Sequence, residues 1–203
     1  VVWLSLLAAM TGVGGLLLAV QGRPIVRSDG LTLTPLVSTT SAVGIDAIFK
    51  TRQPLERATW KAIVIHHSGS PAGSPASLEA EHRANGSKGL GHHFVIGNGR
   101  GMEDAELHVG YRWLDQHPGH HALGSNADWF NRNAISICLV GNGDRQSFSP
   151  AQLARLRQLV TALRTNLQIP ADRVYLHSDI AQTTSPGRLF PVSWLREQVA
   201  GIR

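Results

Sequence analysis

From residue 56 onward the chain is built of short apolar runs punctuated by loop residues, and their lengths predict strands alternating with helices. Ala62-Ile-Val-Ile65 is a β-branched run leading straight into His66, the pattern of a buried strand that ends at a loop. Ser74 followed by Pro75 sets an N-cap and a first-turn proline at the head of a short helix to about Ala84, which Asn85-Gly86 and Gly89 stop. His92 to Ile96 predicts a second strand, closed by the glycine-rich turn 97–101. Tyr111-Arg-Trp113 predicts a further strand, His117 to His121 a loop, and Ala134 to Val140 a central strand. Ser149-Pro150 repeats the cap signal, and Leu153, Leu156, Leu159, Val160, Leu163 and Leu167 then recur at helical spacing, which predicts an amphipathic helix. Val174-Tyr-Leu176 returns as a strand into His177, and a helix from about Ser193 to Val199 follows. Strands interspersed with helices predict an α/β fold with a central mixed β-sheet flanked by helices.

The first part of the chain follows a different pattern. Residues 1–20 carry no charge, and about 20 apolar residues suffice to cross a bilayer. Three glycines and the lack of a polar face argue against a buried core helix. The segment reads as a signal peptide or an N-terminal membrane anchor, so the rest of the chain is expected to be exported, periplasmic or otherwise extracytoplasmic, with residues 1–20 contacting the membrane. Residues 21–55, rich in Thr, Ser, Gly and Pro without a helical period, read as a linker and lead-in. Residues 56–203 form the expected domain.

Composition adds three points. With 16% charged and 42% hydrophobic residues, the 203-residue chain is globular in type, and it is expected to act as a monomer. A formal charge of +5 suits an anionic partner, but Arg and Lys are scattered without a basic run, so nucleic acid is not expected. The single cysteine, Cys138, excludes an intramolecular disulfide and lies in an apolar strand, where a thiol is buried and inert.

The candidate chemistry lies in the histidines. Two separate strands each deliver one, His66 and His177, where strand gives way to loop. Two imidazoles so placed are what a zinc site needs first, to be completed by a third ligand and an open position for water. Strand alternation puts His66 on one face with Ala62 and Val64 and turns His67 to the other. Asp179, two residues past His177, is placed either to orient a ligand or to cap the loop.

Four motifs occur in order: Ile63-Val-Ile-His-His-Ser68, Gly89-Leu-Gly-His-His-Phe-Val-Ile96, Ala134-Ile-Ser-Ile-Cys-Leu-Val-Gly-Asn142, and His177 followed by Thr183-Thr-Ser-Pro-Gly187. Together, over roughly Ala58 to Val199, the chain resembles the zinc-dependent N-acetylmuramoyl-L-alanine amidases of the bacteriophage lysozyme type and the related peptidoglycan recognition proteins. The resemblance implies peptidoglycan as substrate and Zn2+ as cofactor, with His66 and His177 as ligands. Ser185 stands at the third ligand position, where the family carries Cys or Asp. It also implies catalytic roles for His92, which replaces a Tyr, and for Thr183, at an oxyanion-assisting position, while His121 matches a substrate-binding histidine of the groove. A neutral serine is a poor zinc ligand. The alternative is therefore a non-catalytic peptidoglycan- or muropeptide-binding module whose zinc site Ser185 has impaired.

Overall fold

A computed structural model describes residues 30–33 and 42–201. The segment read as a signal or anchor, residues 1–20, lies outside them. Among the described residues no helix is long and apolar enough to cross a membrane.

The architecture is the mixed sheet with flanking helices. Six strands, β1 (Gly30–Leu33), β2 (Ala62–His67), β3 (Phe94–Ile96), β4 (Leu107–Gly110), β5 (Ala134–Leu139) and β6 (Val174–Leu176), are arranged in the order β1-β4-β3-β5-β2-β6. The β5 strand is central, and β2 and β3 run parallel to it on either side. The β6 strand pairs parallel with β2, and β4 pairs antiparallel with β3 and β1. All six residues of β5 are buried, as expected of a strand covered on both faces.

Alternation along β2 and β5 divides the interior. Ile63, Ile65, Ile135, Ile137 and Leu139 join the main core with Leu156, Leu159, Val160 and Leu163 of one helix and Leu195 and Val199 of another. Ala62, Val64 and Ala134 face the opposite side, against Phe130, Tyr175 and Ile180. The helices, in chain order, are α1 (Ala42–Ile45), α2 (Pro75–Ala84), α3 (Tyr111–Leu114), α4 (Ala127–Asn133), α5 (Pro150–Leu167) and α6 (Val192–Ala200). Both proline-led starts form as read. Ser74 caps α2 by accepting the Ser77 N–H at 3.1 Å, and Ser149 caps α5 by accepting the Gln152 N–H at 2.9 Å, each within a reciprocal capping box.

Two segments differ from the sequence reading. The run Tyr111-Arg-Trp113, expected as a strand, is the helical turn α3; the strand is the preceding Leu107–Gly110. Tertiary bonds override local β propensity here. Trp113 donates its indole N–H to the Ile48 carbonyl at 2.6 Å, and the buried Arg112 guanidinium donates to the carbonyls of Leu90 and Pro118 and to the Ser87 hydroxyl. Part of the expected lead-in is also built into the sheet and core. Gly30–Leu33 is an edge strand on β4, and Ile48 is fully buried against Trp113 and its neighbours.

The α5 helix gives a test of what holds the sheet. Leu163→Ala should destabilise the protein by about 2–5 kcal/mol through lost burial and the cavity left behind. Ser149→Ala should cost only about 1 kcal/mol, for the lost cap. Urea denaturation followed by circular dichroism should show this order, and equal losses would mean that α5 packing is not what anchors the sheet.

Candidate functional site

The site grows out of the strand register. Ile65 on β2 pairs with Leu176 on β6, so the next residue of each strand, His66 and His177, emerge side by side at the carboxyl ends of parallel strands. That end of an open α/β sheet is where ligands bind. The two rings lie 4.3 Å apart between centroids, and both Nε2 atoms are buried without a hydrogen-bond partner. A buried imidazole nitrogen left unpaired needs an explanation, and an absent ligand is one of the recognised ones.

Two further histidines close on this pair. The ring of His92, just before β3, lies 5.0 Å from that of His66, and so does the ring of His121, from the loop between α3 and α4. The amide of Asn131 holds the His121 loop: its Oδ1 accepts the N–H groups of His121 and Ala122 at 2.8 and 3.0 Å, and its Nδ2 donates to the Ala122 carbonyl at 3.1 Å. His82 on α2 accepts the Gly91 N–H on Nδ1 at 2.8 Å and sets its ring 5.1 Å from that of His92. Together with Thr183 and Ser185, these side chains line an open cavity of about 410 Å3.

Burial controls the charge of the pocket. Desolvation first, and then the neighbouring imidazoles, hold His66 and His92 well below the ordinary histidine range. Burial and then His93 do the same for His121, and burial followed by His67 lowers His177. Among the described residues no carboxylate lines the cavity to offset this. The rings are therefore neutral near pH 7, the form in which an imidazole can offer a lone pair.

The loop carrying Ser185 is pinned from several sides. Ser185 Oγ accepts the His67 N–H at 3.0 Å, its own N–H donates to Thr183 Oγ1 at 3.2 Å, and its carbonyl accepts the Ser178 N–H at 2.8 Å. His67 turns away from His66, as alternation required, and accepts the Gly143 N–H on Nδ1 at 3.0 Å. Asp144 accepts from the Thr184 hydroxyl at 2.6 Å and from the Arg188 N–H at 3.0 Å. Gly187 has φ +104°, and a Cβ there would sit 2.2 Å from the Gly143 backbone, so the loop closes only with glycine. Asp179 caps the turn after β6 by accepting the Leu176 N–H at 2.8 Å, and it does not line the histidine cavity.

The residues fit a zinc ion at two places and poorly at the third. The unpaired Nε2 atoms of His66 and His177 are suitable nitrogen donors. Ser185 is next to them in the cavity wall, but its oxygen is neutral and already engaged. Among the described residues no three His, Cys, Asp or Glu side chains are grouped so as to hold a metal. His66, His92, His121, His177, Thr183 and Ser185 are thus all brought to one cavity. His117 and His120 are exposed, as the loop reading expected, although His120 reaches the cavity mouth. The sequence reading had no place for His82 or for Ser136, whose hydroxyl lies 2.5 Å from His92 Nδ1. The available signal for Ser136 was a lone polar residue inside an otherwise apolar strand. Cys138 is buried, and burial pushes its thiol up, so it is inert.

Comparison with known proteins agrees with this picture. The profile of the N-acetylmuramoyl-L-alanine amidase family matches residues 56–188. The endolysin of Enterobacteria phage T3 is 31% identical over 138 residues, covering 64% of this chain and 82% of the endolysin. Among solved structures, the endolysin amidase of Clostridium intestinale superposes with a TM-score of 0.56 at 26% identity, over 74% of this chain and 90% of that one. A peptidoglycan recognition protein of Apis mellifera shares the fold at 21% identity and a TM-score of 0.53, over 70% of this chain and 82% of its own. With the motifs, the sheet and the histidine cavity in one arrangement, the chain belongs to the N-acetylmuramoyl-L-alanine amidase family.

Proposed function

We propose that this protein is a zinc-dependent hydrolase of the amide bond between N-acetylmuramic acid and L-alanine in peptidoglycan, acting outside the cytoplasm. The observation that carries the reading is the pair of buried, unpaired Nε2 atoms of His66 and His177, facing one open cavity. These two side chains would hold the zinc, with Ser185 at the third position. When bound, zinc supplies a Lewis acid that polarises the amide carbonyl and lowers the pKa of a water. His92 stands beside His66 with its ring on the cavity wall, where it can stabilise the tetrahedral oxyanion or move a proton. Thr183 Oγ1 accepts the Ser185 N–H, which leaves its own O–H free to donate to the same oxygen. His121, which lines the same cavity, would contact the muramyl peptide. Among the described residues no carboxylate lines the cavity, so an acidic stem peptide would meet no like charge there.

A second reading draws on Ser185 itself. Its oxygen is engaged by the His67 N–H and carries no charge to offset a dication. A site weakened in this way would bind muropeptides without cleaving them.

Digestion of purified peptidoglycan by the full chain, with mass spectrometry of the soluble products, separates the two. Free stem peptides beginning with L-alanine are expected, and chelation or His177→Ala should reduce their release by roughly a hundredfold or more. Intact glycan-linked peptides at every zinc concentration, with protein still pelleting with the wall, would establish the binding module.

Ser185→Cys provides an independent check by calorimetry. A thiolate at this place should tighten zinc binding by roughly tenfold or more. Unchanged affinity would mean that another side chain already completes the metal site.

A further inference from the structure

The β5 strand reads Ala-Ile-Ser-Ile-Cys-Leu, and its one hydroxyl, on Ser136, is fully buried. A buried donor without a partner is costly, so such a hydroxyl needs one. Its partner is His92 Nδ1, 2.5 Å away. The pairing Val64↔Ser136 and His66↔Cys138 between β2 and β5 puts Ser136 on the same face of the sheet as His66. The contact is also fixed in register. The Ser136 N–H donates to His93 Nδ1 at 3.0 Å, and the Ser136 carbonyl accepts the His93 N–H at 3.1 Å. The backbone carrying the hydroxyl and the backbone carrying the imidazole therefore cannot slide past one another.

The contact admits two proton arrangements. If the ring nitrogen donates, the hydroxyl proton needs a second acceptor, and among the described residues the Ser136 hydroxyl has no side-chain bond other than that to His92. If the hydroxyl donates to Nδ1, both groups are satisfied by the one bond. A neutral imidazole that accepts on Nδ1 carries its proton on Nε2.

We infer that Ser136 is a positioning residue for His92: its hydroxyl holds the imidazole in the Nε2–H tautomer, so that the ring presents a neutral N–H donor to the cavity. The consequence for rate rests on the hydrolase reading above; the tautomer does not. Within that reading His92 stabilises the oxyanion, because Nε2 has no lone pair with which to accept a proton from water. The serine thus decides which of two chemistries a histidine at this place performs. It does so while fully buried and outside the cavity lining, without touching substrate.

Long-range nitrogen–proton NMR on the full-length, ring-labelled protein reads the tautomer of each histidine, and His92 is identified by the peaks lost in His92→Gln. The wild type should show His92 protonated on Nε2, with and without zinc. Ser136→Ala should give averaged nitrogen shifts from a mixture of tautomers and lower kcat about tenfold with KM unchanged, whereas Ser136→Thr, which keeps a hydroxyl, should restore both. A wild-type His92 protonated on Nδ1 overturns the assignment, even should the alanine variant fail to fold. So does a folded Ser136→Ala protein that keeps the wild-type pattern and full kcat. The expected tautomer in a protein that releases no stem peptide would overturn the hydrolase reading and leave the role of Ser136 standing.

Discussion

The whole site depends on the in-register parallel pairing of β2 with β6. Because Ile65 faces Leu176, the first residues beyond the pairing are His66 and His177, and their rings meet at 4.3 Å. A slip of one residue would turn one imidazole to the opposite face of the sheet and separate the pair. The apolar core enforces the register: Ile63, Ile65 and Leu176 are buried against α5 and α6, and a slip would expose them. The chemistry of the cavity is thus set by the same packing that stabilises the fold.

Burial then determines what those rings are. A cluster of imidazoles without a carboxylate among them cannot hold several protons, so the histidines stay neutral. Each nitrogen of a neutral ring is then either a donor or an acceptor. His82 and His67 are acceptors on Nδ1, each capturing a backbone N–H of a neighbouring loop, and they hold the walls of the cavity. His66 and His177 keep Nε2 unpaired at its centre. The division between supporting and unpaired nitrogens is therefore a division between those that the backbone satisfies and those that it leaves over.

The strands and the two proline-led helices were legible because their signals are local. Alternation, an N-cap and a proline at the first turn act within a few residues. The same holds for His66 and His177, each placed at the end of a readable strand. Tyr111–Leu114 misled because its helical turn is imposed by bonds to Ile48, Leu90 and Pro118, which are remote in sequence or in loops without a pattern. Gly30–Leu33 was hidden for a related reason: a short edge strand of mixed residues carries no period, and its pairing with β4 is settled far along the chain. Ser136 was passed over because nothing local distinguishes a hydroxyl that serves a partner from one that interrupts an apolar run.

Arg112 connects these levels. One buried guanidinium reaches the Leu90 carbonyl, the Pro118 carbonyl and the Ser87 hydroxyl at once. Leu90 lies two residues before His92, and Pro118 three residues before His121, so a single planar group spans the roots of the two segments that bring these rings in. It works as a spacer gauge: the fork of its nitrogens fixes the gap between two cavity walls, and the gap cannot be altered without abandoning a charged group to an apolar interior. A lysine, with one ammonium on a flexible stem, could hold one wall but not measure the distance to the other. The exposed Leu123 lies beyond the gauge at the cavity mouth, so a change of side chain there would alter what the mouth admits and leave the spacing of the histidines intact.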